Sequence, residues 1–195
     1  TGSGKTEVYL QLAEKELAAG RHVLILTPEI GLIPQLVDRC RRRFGSRVLE
    51  YHSGCRDRER LQVWRRCLAP EQPLLVVGTR SAVFIPLSPL GLVVLDEEHD
   101  SSYKQAAPMP CYHARDLALD RIRAGGGRLV LGSATPSLDS WVQLHPDGPL
   151  HLGRLTQRIS QQSLPPVHVV DMRHELAEGH RRLISRPLMD RLAEL

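Results

Sequence analysis

The chain has 195 residues, 42% hydrophobic and 25% charged, with a formal net charge of +4, values ordinary for a globular domain that can build a core. Its longest apolar runs, 74–77 and 90–95, fall far short of the ~20 residues that span a bilayer as a helix, so no membrane role is expected. Cys40, Cys55, Cys67 and Cys111 form no C-x-x-C pair and stand beside no zinc-finger His pair, so they read as free thiols of a reducing cytosol and no zinc site is expected in this segment. Short β-branched runs alternate with amphipathic stretches, the pattern of a mostly parallel sheet with helices on both faces. A first helix begins within a few residues of Thr1, on the apolar positions Val8, Leu12 and Leu17, and Gly20 stops it. Strands are expected at 22–27, 47–51, 74–78, 92–96 and 128–132. Helices are expected at 34–44, where Pro34 suits a first turn, and at 57–68, 113–124 and 137–144. From His151 the chain changes character, with short possible strands at 151–155 and 167–171, a polar connector at 157–166 and a last helix from about Arg186.

Arg outnumbers Lys 23 to 3. The cluster Arg39, Arg41, Arg42, Arg43 and Arg47 reads first as the solvated face of a helix, and only second as a nucleic-acid footprint.

Three stretches carry chemistry. Thr1-Gly2-Ser3-Gly4-Lys5-Thr6 matches the back of a phosphate-binding loop. Small residues let successive backbone N–H groups point inward at a helix N-terminus, Lys5 offers a charge to the β- and γ-phosphates, and Thr6 offers a hydroxyl to Mg²⁺. A Gly-rich turn before an ordinary helix is the plainer reading of the same residues. Asp96-Glu97-Glu98-His99 follows a hydrophobic run, which places Asp96 at the carboxyl end of a buried strand, where open parallel sheets bind ligands. There Asp96 suits the Mg²⁺ shell and Glu97 the polarisation of an attacking water. An acidic cluster capping the next helix explains one or two of these acids, but not their coincidence with Gly-Lys-Thr. Gly132-Ser133-Ala134-Thr135 closes another strand. Its hydroxyls, on Ser133 and Thr135, can reach the His99 imidazole, and Thr135 before Pro136 also suits a helix N-cap.

Together these stretches resemble motifs I, II and III of superfamily 2 helicases, which implies a RecA-like P-loop NTPase fold. By the same resemblance Leu26-Thr27-Pro28-Glu29 and Val77-Gly78-Thr79-Arg80-Ser81 match motifs Ia and Ib, so Thr27, Pro28, Thr79 and Arg80 become DNA-backbone contacts. Tyr51-His52-Ser53-Gly54, Asp96 to Asp100, Ser102-Tyr103-Lys104-Gln105, Tyr112-His113-Ala114-Arg115-Asp116 and Val169-Val170-Asp171-Met172-Arg173 narrow the resemblance. They are similar to the bacterial primosomal replication-restart helicases, the PriA family, over essentially the whole chain. In that family the loop after the DEEH motif couples DNA contact to ATP hydrolysis, which implies a sensor role for Tyr103 and Lys104 and a DNA contact for Tyr112. The stretch 106–110 holds no aromatic to stack on a base.

The resemblance implies motor lobe one at 1–150, then a connector and the start of lobe two at 151–195. An arginine finger, a zinc-binding module, an N-terminal DNA-binding region and the strand leading into the phosphate loop are expected in parts of the parent protein outside these residues. That strand is expected inside the sheet, so its loss should leave a gap, and residues 1–195 alone should be unstable and without ATPase activity. The implied parent is a cytoplasmic, nucleoid-associated, ATP- and Mg²⁺-dependent 3′-to-5′ DNA helicase of replication restart. Its implied partners are forked and single-stranded DNA, other primosome proteins and single-strand-binding proteins. A translocase that remodels nucleoprotein without unwinding and a non-catalytic primosome scaffold are the alternatives. A small-molecule P-loop kinase is disfavoured, because it needs neither DEEH nor SAT.

Overall fold

A computed structural model describes residues 3–144, 148–157 and 166–194. Two compact units divide the chain, Thr1–Ser160 and Gln161–Leu195.

The first unit is built on five parallel strands: β1 (His22–Leu26), β2 (Val48–Tyr51), β3 (Leu75–Gly78), β4 (Leu90–Asp96) and β7 (Arg128–Gly132). They run in the order β2-β3-β1-β4-β7. Side chains alternate across the pleat, so Val23 and Ile25 enter one core while Leu24 and Leu26 enter the other. The first core is covered by α1 (Lys5–Ala18) and α2 (Ile33–Phe44), the second by α3 (Asp57–Leu68) and α4 (Ala114–Gly125). Strands with both faces covered are fully apolar, which is why β1, β3 and β4 read as continuous hydrophobic runs.

The α/β class, the five strands and the four longer helices stand as expected, with four corrections. The buried stripe of α1 is Tyr9, Leu10, Ala13 and Leu17, while Val8 is 38% exposed. Of the expected stripe only Val8 faces water, since Leu17 is buried and Leu12 packs, partly buried, against the same core as Tyr9 and Ala13. The stretches 151–155 and 167–171 form no strand: Val167 and Val169 are exposed, and nothing among the described residues pairs with them. The helix expected at 137–144 shrinks to α5 (Leu138–Trp141), capped by the Ser137 hydroxyl and not by Thr135. Most of the 157–166 connector lies outside the described residues. Among the described residues no gap interrupts the sheet: each strand pairs with the next, and β7, half-exposed, is an edge.

Two short strands escaped the periodicity, β5 (Lys104–Gln105) and β6 (Tyr112–His113), which form an antiparallel hairpin beyond the end of β4. In the second unit α6 (Met172–Ala177), capped by Asp171, and α7 (Arg186–Ala193) are joined by Glu175. Its carboxylate accepts from the Arg186 backbone N–H at 2.9 Å and from the Arg186 guanidinium. The arginine cluster on and after α2 pairs with acids: Arg42 with Asp38, Arg43 with Glu7 and Glu14, and Arg41 with Glu50. No helix among the described residues is long and apolar enough to cross a membrane.

Candidate functional site

Parallel pairing aligns the carboxyl ends of the strands. Leu26 stands beside Gly78 and Leu95, and Asp96 beside Gly132, so the loops after β1, β3, β4 and β7 share one edge. Gly4 enters that edge at φ 89°, a left-handed conformation open to glycine, and α1 starts at the next residue. Ser3, Gly4, Lys5 and Thr6, expected to form a phosphate loop, therefore lead into a helix N-terminus, whose first N–H groups have no acceptor within the helix. Gly2 lies outside the described residues.

Lys5 donates from Nζ to Glu97 Oε1 at 2.6 Å, which brings two of the three expected catalytic side chains into contact. Glu97 itself has φ 48°. A non-glycine residue holds that conformation only where its surroundings enforce it, and such strain gathers at functional sites. The turn is closed by the Asp100 N–H donating to the Glu97 carbonyl at 3.0 Å. Asp96 is half-buried, and burial raises its carboxyl pKa against the opposing pull of a hydrogen bond from Tyr9. A carboxylate whose charge is disfavoured by burial gains from a divalent cation, so Asp96 fits the metal-side role, with Thr6 in the first turn of α1. His99 Nδ1 lies 2.7 Å from Ser133 Oγ, the contact expected between motifs II and III. Thr135 joins it through its backbone, whose N–H donates to Ser133 Oγ at 3.0 Å.

Tyr9 went unnoticed in the sequence. It lies one helical turn after Lys5, on the same face, and its hydroxyl donates to Asp96 Oδ1 at 2.9 Å. Burial beside Asp96 drives its phenol pKa well up, so it stays a donor. Glu98, buried against Ser137 and Ser140, also went unnoticed as a functional residue.

The expected coupling and DNA residues divide. Tyr103 is 0% exposed, and its hydroxyl donates to the Leu26 carbonyl at 2.9 Å and the Asp96 carbonyl at 2.6 Å. It ties the ends of β1 and β4 together, and its side chain lies in the core and not on the surface. Thr27 is buried with its hydroxyl donating to the Glu29 carbonyl at 2.9 Å, so it presents no group to a phosphate. Arg80 turns inward to the hairpin. Its guanidinium donates to the Ser102 and Lys104 carbonyls, both at 3.0 Å, and to Gln105 Oε1 at 2.9 Å. It also lies 5.7 Å from the centroid of the Tyr112 ring, which packs edge-on against Phe84. Lys104 is exposed, Thr79 and Pro28 half-buried, and these three with Tyr112 remain along the rim.

Glu50, His52 and Cys55 bring potential ligand atoms within 4.8 Å of one another. His52 Nδ1 accepts from the Gly54 N–H at 3.0 Å, which leaves Nε2 protonated and donating to Glu50 at 2.7 Å. Neither nitrogen offers a lone pair to a metal.

A family model described as DEAD/DEAH box helicase matches residues 1–143. The chain belongs to the DEAD/DEAH box helicase family. Along its whole length it is also similar to proteins named replication restart protein PriA, at 52% identity in Synechocystis sp. and 46% in Bacillus subtilis. The chain spans 24% of the length of each of these relatives. Among solved structures, the C-terminal domain of the DEAD-box protein Dbp5 overlaps at a TM-score of 0.49 and 18% identity, over 72% of this chain and 74% of that one.

Proposed function

We propose that these residues are the first motor lobe of an ATP-dependent 3′-to-5′ DNA helicase of replication restart, with 1–150 as the lobe and 151–195 as a connector into a second one. The observation that carries the reading is the contact of Lys5 with Glu97, beside Asp96, at the carboxyl edge of the sheet. The family match and the similarity to PriA proteins support it.

In this reading, ATP phosphates enter over the N-terminus of α1 and take the Lys5 ammonium from Glu97. The freed Glu97 carboxylate then accepts a proton from the water that attacks the γ-phosphate, and ADP leaves as the phosphate is released. Mg²⁺ bound through Asp96 and Thr6 would supply charge neutralisation on the phosphates. Ser3, Gly4 and Gly2 cradle the phosphates through backbone N–H groups. His99, with Ser133 and Thr135, links nucleotide state to the rest of the lobe. Single-stranded DNA passes over Pro28, Thr79, Lys104 and Tyr112, while Thr27, Arg80 and Tyr103 shape that rim from behind. Forked DNA, primosome proteins and single-strand-binding proteins are the proposed partners of the full-length protein in the bacterial cytoplasm and nucleoid.

The test is ATP hydrolysis by the full-length protein with and without single-stranded or forked DNA, followed by strand displacement. DNA-stimulated turnover is expected, and Lys5→Ala and Glu97→Gln should each lower kcat by roughly a hundredfold or more. Turnover that survives both substitutions would overturn the site assignment. Turnover without strand displacement would make the protein a translocase instead.

A further inference from the structure

Glu98 is a buried carboxylate in the middle of motif II that the proposed reaction does not use. It is 4% exposed, and a charge so enclosed persists only where donors surround it. Among the described residues, the donors to its carboxylate come from the segment after β7. Glu98 Oε1 accepts from the Ser137 N–H at 2.7 Å, and Oε2 accepts from the Ser140 hydroxyl at 2.9 Å and the Ser137 hydroxyl at 3.1 Å. The Ser140 hydroxyl in turn accepts from the Arg115 guanidinium at 3.5 Å.

The backbone of the same residue holds the other end of that segment, because the Glu98 N–H donates to the Gly132 carbonyl at 3.0 Å. Between the two attachments lie Ser133, Ala134, Thr135 and Pro136, of which the last three are exposed. The loop therefore has little packing of its own to place it. Within it sits Ser133, whose hydroxyl must stay beside His99, the residue following Glu98. Glu97, Glu98 and His99 share one tight turn, so Lys5 at one end and the Ser133 loop at the other are attached to consecutive residues.

We propose that Glu98 is a positioning residue: by gripping Ser137 and Ser140 through its carboxylate and Gly132 through its N–H, it spans the loop between them and keeps Ser133 against His99. The neighbouring grips on Lys5 and on the loop then move together. This rests on the reading of the site as a DNA-stimulated ATPase, although the grip itself can be measured without turnover.

The experiment uses the full-length protein with Glu98→Ala, Glu98→Gln, His99→Ala and the Glu98→Ala/His99→Ala pair. The first readout is backbone amide hydrogen exchange. Glu98→Ala should speed exchange at Thr135, Ser137 and Ser140 by roughly tenfold, the scale of one lost hydrogen bond to a charge. Glu98→Gln should restore protection, since its carbonyl oxygen accepts the Ser137 N–H and the serine hydroxyls can turn to accept from its amide. The second readout is DNA-stimulated ATP turnover. Glu98→Ala should lower kcat by roughly tenfold with little change in KM, an effect confined to the reacting complex. Because Glu98 acts through His99, the pair should be no slower than His99→Ala alone. Unchanged exchange in Glu98→Ala would overturn the grip whatever the turnover. Faster exchange with losses that multiply in the pair would overturn its action through His99, leaving a merely structural carboxylate. A folded wild-type protein that hydrolyses no ATP would instead overturn the reading of the site.

Discussion

Gly132→Ala is a small substitution that should strike this site hard. A Cβ at that position would lie 1.6 Å from Tyr9 Oη and 2.7 Å from Tyr9 Cζ. The ring has little room to retreat, since Tyr9 is 3% exposed and its hydroxyl is held on Asp96. Forcing a methyl into such packing costs about 1–3 kcal/mol, and breaking the hydrogen bond to the carboxylate costs about 1.5–3 kcal/mol. The two costs overlap, so a total of about 3–4 kcal/mol is expected, or roughly 6–16 °C in the melting temperature of a domain this size. Tyr9→Phe removes the hydrogen bond and also the 1.6 Å contact. Adding Gly132→Ala to Tyr9→Phe should therefore cost less than adding it to the wild type, by about 1–2 kcal/mol of coupling. Tyr9→Phe also removes one of the groups that hold the Asp96 pKa down, so the acid limb of ATP turnover should move to higher pH. Calorimetric melting and nucleotide affinity of the full-length protein, measured for the three variants, check this. A melting temperature for Gly132→Ala within about 2 °C of wild type, or additive costs in the double variant, would refute the packing argument.

His22 is buried in β1, with Nδ1 accepting the Leu74 N–H at 2.9 Å, and burial lowers its pKa below 6.5. Because the folded value lies below the unfolded one, its contribution to stability is present above pH ~6.5 and is lost as pH falls through the folded value; urea unfolding across that range, with NMR titration of the imidazole, should show it, and a flat profile would count against it. Arg80→Lys keeps the charge but cannot reproduce three donors aimed at Ser102, Lys104 and Gln105. Hydrogen exchange in 102–105 and proteolysis within 106–110 should both accelerate, with weaker binding of single-stranded DNA, and an unchanged hairpin would contradict the anchoring role.

The residue types that do chemistry were legible in the sequence. Gly-Lys-Thr, the acids after a buried run and the Ser-Ala-Thr after another announce themselves by local pattern, because a strand end followed by a reactive side chain is a short-range feature. The parallel sheet was legible for the same reason, since β1, β3 and β4 had to be apolar on both faces. What sequence pattern left open was which groups point at one another. The inward turn of Arg80, the burial of Tyr103 and the grip of Glu98 on Ser137 and Ser140, 39 and 42 residues away, arise from strand order and register. The resemblance implied Thr27 and Arg80 as DNA-backbone contacts, yet the fold uses both to satisfy carbonyls around their own loops. The open edge at β7 belongs to the same category. Local composition determined the strands and the reactive side chains, but only the tertiary arrangement decided which polar groups spend their hydrogen bonds inside the protein, since a buried donor or acceptor must be paired by whatever the packing brings beside it.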